Sequence, residues 1–104
     1  MMATSKNLGK VVLKDGEIIQ LQMYTYPNDR VGIVGMCEDG ERYDVLSRNI
    51  QDFELDKGEF FVPVDEEQES WTEICRHSGI FKIIGKNTHY NGEIFEVWKI
   101  VGIS

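Results

Sequence analysis

Long apolar runs are missing from this chain. No stretch approaches the ~18 consecutive apolar residues of a membrane-spanning helix, so no such span is expected. Proline is scarce, with two residues in 104, while 41% of positions are hydrophobic. That balance argues against general disorder. No internal repeat or low-complexity tract interrupts the sequence. Cysteine is confined to Cys37 and Cys75. The first ten residues lack the apolar core of a secretory signal, so the chain reads as cytoplasmic. In that compartment the two thiols read as buried and free rather than as a disulfide. Residues 1–10 read as a flexible leader and residues 11–104 as a single domain.

Catalytic signatures are missing too. No glycine-rich phosphate loop, HExxH helix, CxxC pair or nucleophile elbow occurs. The residues richest in potential chemistry are Cys37, Cys75, His77 and His89. Zinc would need such ligands to converge. Their spacing fits no standard knuckle, and Cys75 and His77, two apart on a helix, face different ways. The same divergence weakens a Cys–His nucleophile. Paired carboxylates abound at Asp65, Glu66, Glu67 and Glu69, but acid–base catalysis needs a cleft with opposed environments. No catalytic, cofactor or metal site is expected, and a small hydrolase is the least favoured reading.

Positive charge is the other shortage. Eleven Lys and Arg face eighteen Asp and Glu, for a formal charge of −7. The imbalance is local: residues 38–73 hold thirteen acidic and three basic groups, whereas both flanking thirds are slightly positive. Like-charge repulsion disfavours direct contact of that middle third with nucleic acid or an anionic membrane. A basic protein surface suits it.

What the chain does contain is strand patterning. Val11–Leu13, a Lys14-Asp15-Gly16-Glu17 turn, and Ile18–Tyr26 make a hairpin. Ile19, Leu21, Met23 and Thr25 fall on one face of the long strand. Ile18, Gln20, Gln22, Tyr24 and Tyr26 fall on the other. Pro27-Asn28-Asp29 breaks it. Val31–Cys37 follows, with Gly32 and Gly35 permitting a bulge or close packing. Glu38-Asp39-Gly40-Glu41 turns the chain into Arg42–Ser47, which completes an antiparallel meander. Ile50, Phe53 and Leu55 anchor an irregular loop, and Phe60–Val64 is a short extended piece. Phe81–Ile84, Thr88–Tyr90 and Glu93–Val101 end the chain, the last two joined by Asn91-Gly92, a strong type I′ signal. Strand 93–101 is apolar on both faces, so it is either central or covered by a partner, which makes a homodimer a second reading.

The one helix candidate lies in residues 65–80. Trp71, Ile74, Cys75 and Ser78 form an i, i+3, i+4, i+7 stripe. Two caps compete, Asp65 with Gln68 and Ser70 with Glu73; Asp65 is preferred because it gives about three turns. Gly79 supplies the left-handed stop. The expected fold class is α+β: an antiparallel sheet of about five to six strands with one helix packed on one face.

Two segments carry a family resemblance. Gly40-Glu41-Arg42-Tyr43-Asp44-Val45-Leu46-Ser47-Arg48-Asn49-Ile50 is similar to a Gly-Glu-x-Tyr-Ala-x-Leu-(Thr/Ser)-x-Asn-(Leu/Ile) run. Gly58-Glu59-Phe60-Phe61-Val62 is similar to Gly-Glu-(Val/Phe)-Phe-(Ile/Val), with an acidic helix after it closing on Ser78-Gly79-Ile80 where the family has Ala-Gly-Ile. The chain thus resembles, over about residues 30–84, a small family of uncharacterised proteins found mostly in bacterial mobile elements and their hosts. Asp44 stands where alanine is usual, and Pro63 replaces a more regular extended residue. The resemblance implies a mobile-element setting, where accessory proteins include small acidic inhibitors of host defence nucleases. It transfers no activity and no binding residue.

Charge and resemblance together give an expected function: an acidic protein-binding module, of the anti-restriction or anti-CRISPR type, meeting a basic surface on a nucleic-acid-binding enzyme. The expected contacts are Glu38, Asp39, Glu41, Asp44, Asp52, Glu54, Asp56, Glu66, Glu67 and Glu69. Tyr24, Tyr26 and Tyr43 are the expected aromatic hot spots. The alternative is a structural or self-associating protein whose acidic face is merely solvated.

Overall fold

The computed structural model describes residues 6–50, 53–64, 70–85 and 87–101. In chain order the elements are β1 (Lys6–Val12), β2 (Ile18–Thr25), β3 (Val31–Cys37), β4 (Arg42–Val45), β5 (Glu59–Pro63), α1 (Trp71–Arg76), β6 (Phe81–Ile83), β7 (Thr88–Tyr90) and β8 (Glu93–Ile100).

Three hairpin turns in the first half share one construction. Each is a three-residue loop in which the last residue of the loop adopts positive φ: Gly16 at 90°, Asp29 at 66° and Gly40 at 91°. In each, the middle loop side chain accepts a hydrogen bond from a backbone N–H two residues on: Asp15 from Glu17, Asn28 from Arg30, Asp39 from Glu41. These local bonds explain why Asp and Asn sit where they do. The loops fix the order β1-β2-β3-β4 in an antiparallel sheet, with Ile19 opposite Cys37, Leu21 opposite Gly35 and Met23 opposite Ile33.

The second sheet runs β5-β8-β6, with β7 also pairing β8. Phe60 lies opposite Trp98, and Phe81 opposite Ile100. The expected type I′ residues, Asn91 and Gly92, take φ 50° and 82° and turn β7 into β8. Ile19, Leu21 and Ile33 from the first sheet meet Phe60, Val62 and Trp98 from the second in one core, each almost wholly buried. Arg48 bridges to Phe61, its N–H donating to the Phe61 carbonyl at 2.9 Å, and stitches the sheets together beside β5.

Four expectations need correction. The strands form two sheets, four strands in each, rather than a single sheet of five to six; antiparallel strands with one short helix is the part of the expected class that holds. Helix α1 packs against both sheets, meeting β6 of one and β1 of the other with its Trp71 ring on Gly35 of β3, rather than against one sheet alone. It is also shorter than three turns, because the cap is Ser70, whose hydroxyl accepts from the Glu73 N–H at 3.2 Å; Asp65 lies outside the described residues. Strand β1 starts at Lys6, so pairing extends into the segment read as a leader: Lys6 and Asn7 lie opposite Met23 and Gln22.

The apolar outer face of β8 is covered by the chain itself. Phe61, Phe95 and Val97 form a second buried cluster with Ile50, and Phe53 and Leu55 pack against it. The Arg30 guanidinium pins this loop by donating to the carbonyls of Ile50 (3.3 Å) and Phe53. Strand 93–101 is therefore central: Trp98 and Ile100 are buried on one face and Phe95 and Val97 on the other, while Ile94 and Val101 stay 44% and 52% exposed.

Candidate functional site

In a meander, alternate turns share an end of the sheet. The β1–β2 and β3–β4 turns are therefore neighbours, and both carry the same Asp-Gly-Glu triplet. This end of the first sheet holds Asp15 and Glu17 from one loop and Glu38, Asp39 and Glu41 from the other, with Asp44 nearby on β4, all six exposed. Lys14 and Arg42 stand beside them, and Lys10 lines a cleft with Cys37, Glu38 and Gly40. Among the described residues, no ion pair engages any of these six carboxylates.

Their field is felt by two neighbouring groups. Partial burial, then the Glu17 carboxylate and then Asp39 and Glu41 push the Cys37 thiol up from its ordinary value. Burial, then Glu17, Asp44 and Asp15 do the same to the Tyr43 phenol. A negatively charged conjugate base is disfavoured by desolvation and by like charge alike, so both shifts register local negative potential.

Tyr43 stands at this end, 40% exposed, with its ring edge-on to Trp71 at 5.4 Å. Trp71 enters from the first turn of α1 and lies over Gly35. A Cβ at Gly35 would sit 2.6 Å from the Trp71 ring and 2.8 Å from the Ile19 side chain, closer than real Cβ contacts allow. Glycine there lets the helix seat its indole directly on the sheet. Leu13, Tyr43, Trp71 and Ile74 line a groove of about 510 Å³, with Lys14, Asp15 and Ser70 at its edges.

Tyr24 and Tyr26 belong elsewhere. Tyr24 covers Gly32, where a Cβ would meet its ring at 2.3 Å. Gly32 and Gly35 are an odd number of residues apart, so they face opposite sides of β3. Tyr24 and Tyr43 thus flank opposite faces of the sheet. Tyr24 is only 8% exposed and shares a 2.8 Å hydroxyl–hydroxyl hydrogen bond with Tyr26. Burial, and then that bond, push its phenol pKa well above the ordinary value. It is a structural tyrosine, and the three rings do not form one hot spot.

Glu54 and Asp56 are also separated from the acidic end. Asp56 lines a different cleft with Asn28, Asp29, Arg30 and Lys57, by the β2–β3 turn. The eight residues of β2 place that turn roughly 25 Å away along the strand. Charges of both signs mix there. Asp52, Glu66, Glu67 and Glu69 lie outside the described residues.

The helix carboxylate Glu73 is committed internally. It accepts from Arg76 at 2.8 Å, and Arg76 also pairs with Glu96 while its guanidinium lies 5.5 Å from the Trp98 ring centroid. This cluster ties α1 to β8. Cys75 is buried and its thiol is pushed up to about 12 by burial. His77 is 76% exposed and reaches only toward Glu73. The structure does not bring Cys75 and His77 together as a nucleophile pair. Cys37 is half-buried, not buried as expected.

Sequence reasoning missed Asp15 and Glu17 because charge was counted along the chain. The repeated Asp-Gly-Glu turns at alternate loops of a meander were the available signal. Trp71 was read as core, and its exposed edge was not anticipated. No family model, curated protein or solved structure matches this chain. Among the described residues, no helix is long and apolar enough to cross a membrane.

Proposed function

We propose that this chain is an acidic protein-binding module that docks through the end of the first sheet formed by the β1–β2 and β3–β4 turns. One observation carries the reading: six exposed carboxylates from two loops and β4 gather there, with no described ion pair to any of them. A basic protein surface complements that field. Attraction over roughly a Debye length, about 8 Å at physiological salt, would speed encounter and fall as salt rises. The class of partner follows from the mobile-element resemblance: a nucleic-acid-binding enzyme of host defence, whose phosphate-binding groove the carboxylates would occupy.

The test is capture of a partner from host lysate by the immobilised protein, followed by a salt series and by charge reversal. Asp15→Lys with Asp39→Lys should abolish capture, while Glu54→Lys with Asp56→Lys should leave it. A partner retained by the first variant, or held equally at high salt, contradicts the reading.

A further inference from the structure

The groove beside the acidic end is apolar where the loops around it are charged. Leu13 and Ile74 form its aliphatic walls, and the Tyr43–Trp71 pair its aromatic wall. Its volume of about 510 Å³ falls in the range of sites that hold ligand groups, roughly 300–1,000 Å³. Tyr43 is the most exposed aromatic residue among the described residues, and its ring is held edge-on to Trp71 at 5.4 Å. Gly35 is the residue that makes the Trp71 wall fit.

We propose that this groove receives an apolar side chain from a basic segment of a partner protein. Charged groups surround an apolar slot. Asp15 and Lys14 border the groove, and Glu17, Asp39, Glu41 and Asp44 on the loops and strand beside it leave the surroundings negative on balance. An apolar side chain entering between Tyr43 and Leu13 would carry its chain neighbours over those carboxylates. Lysine or arginine at the neighbouring positions would be paired there, and glutamate or aspartate repelled. Tyrosine and tryptophan surrounded by a polar rim is the usual composition of a binding hot spot. The inference rests on the basic-partner reading and adds what the centre of the interface takes.

The test uses three fluorescein-labelled synthetic nonapeptides and anisotropy at 0.15 M salt. The first carries a central Leu-Trp pair with Lys and Arg on both sides. The second replaces Leu-Trp by Ala-Ala. The third keeps Leu-Trp but has Glu on both sides. The first should bind at least about tenfold tighter than either of the others, as expected for burial of one large apolar side chain. Tyr43→Ala should reduce the first peptide to the level of the second, and Tyr43→Phe should retain it, which separates loss of the ring from misfolding. Equal binding of the first two peptides, unchanged by Tyr43→Ala, overturns the groove inference and leaves the basic-partner reading standing. Best binding by the third peptide overturns the charge argument. No binding by either basic peptide overturns both.

Discussion

The two cysteines report on different parts of the molecule. Cys37 is half-buried at the acidic end, and Cys75 is enclosed on the buried face of α1. A thiol reagent added to the folded protein should therefore read Cys37 alone. Its rate should rise with pH later than for an ordinary thiol, because burial and the Glu17, Asp39 and Glu41 carboxylates disfavour the thiolate. Glu17→Gln should move that profile to lower pH, and added salt should do the same. A profile unchanged by Glu17→Gln would remove the local field from the account. Cys75 gives a stability prediction instead. Its folded value of about 12 lies above the ordinary 9.0, so from about pH 9 upward the unfolded chain releases a proton that the folded chain keeps. Unfolding is then favoured as pH rises, and stability is lost between about pH 9 and 12. Tyr24, also raised, adds to the loss above pH 10. Urea unfolding from pH 8 to 10.5 should show the decline, and Cys75→Ala should flatten its slope.

At the scale of elements, the seat of α1 on β3 is the most sensitive joint. Gly35→Ala puts a methyl into the Trp71 and Ile19 side chains. The indole must lift, at a cost of about 1–3 kcal/mol, and the groove wall moves with it. A lowered thermal midpoint and a changed tryptophan emission would check this; a wild-type midpoint would show that the close seating is absent. Seven of the eight strand segments were legible in the sequence, because period-2 alternation and turn residues are local signals; of β1 only Val11 and Val12 were, since Lys6–Lys10 carry no such alternation. The loop anchored by Ile50, Phe53 and Leu55 was legible for the same reason. How the strands assort was not. Nothing local says that β5 pairs with β8 rather than β4, since that choice depends on which faces bury each other. Nor was the cap decided locally: Asp65 and Ser70 both satisfy the same N–H chemistry, and the position of Trp71 over Gly35 is a long-range fact. The candidate site was half legible. Its β3–β4 carboxylates and Tyr43 stood out by type, while Asp15, Glu17 and the Trp71 wall needed the strand order.

At the scale of the whole molecule, the charge of the described residues is distributed by end rather than by thirds of the chain. One end of the first sheet gathers carboxylates from two turns and β4. The opposite end mixes Asp29 and Asp56 with Arg30 and Lys57. Glu73 and Glu96 are both paired with Arg76 between α1 and β8. A molecule with one negative pole can orient toward a basic surface before contact, which a uniformly acidic one cannot. The sharpest measurement of this needs no partner. Small nitroxide probes of opposite charge broaden the amide resonances they approach, and the ratio of the two effects maps surface potential residue by residue. The account predicts that the cationic probe exceeds the anionic one most strongly at residues 14–17 and 38–44, with little bias at 53–58. Equal bias at both ends, or a maximum at 53–58, would contradict it.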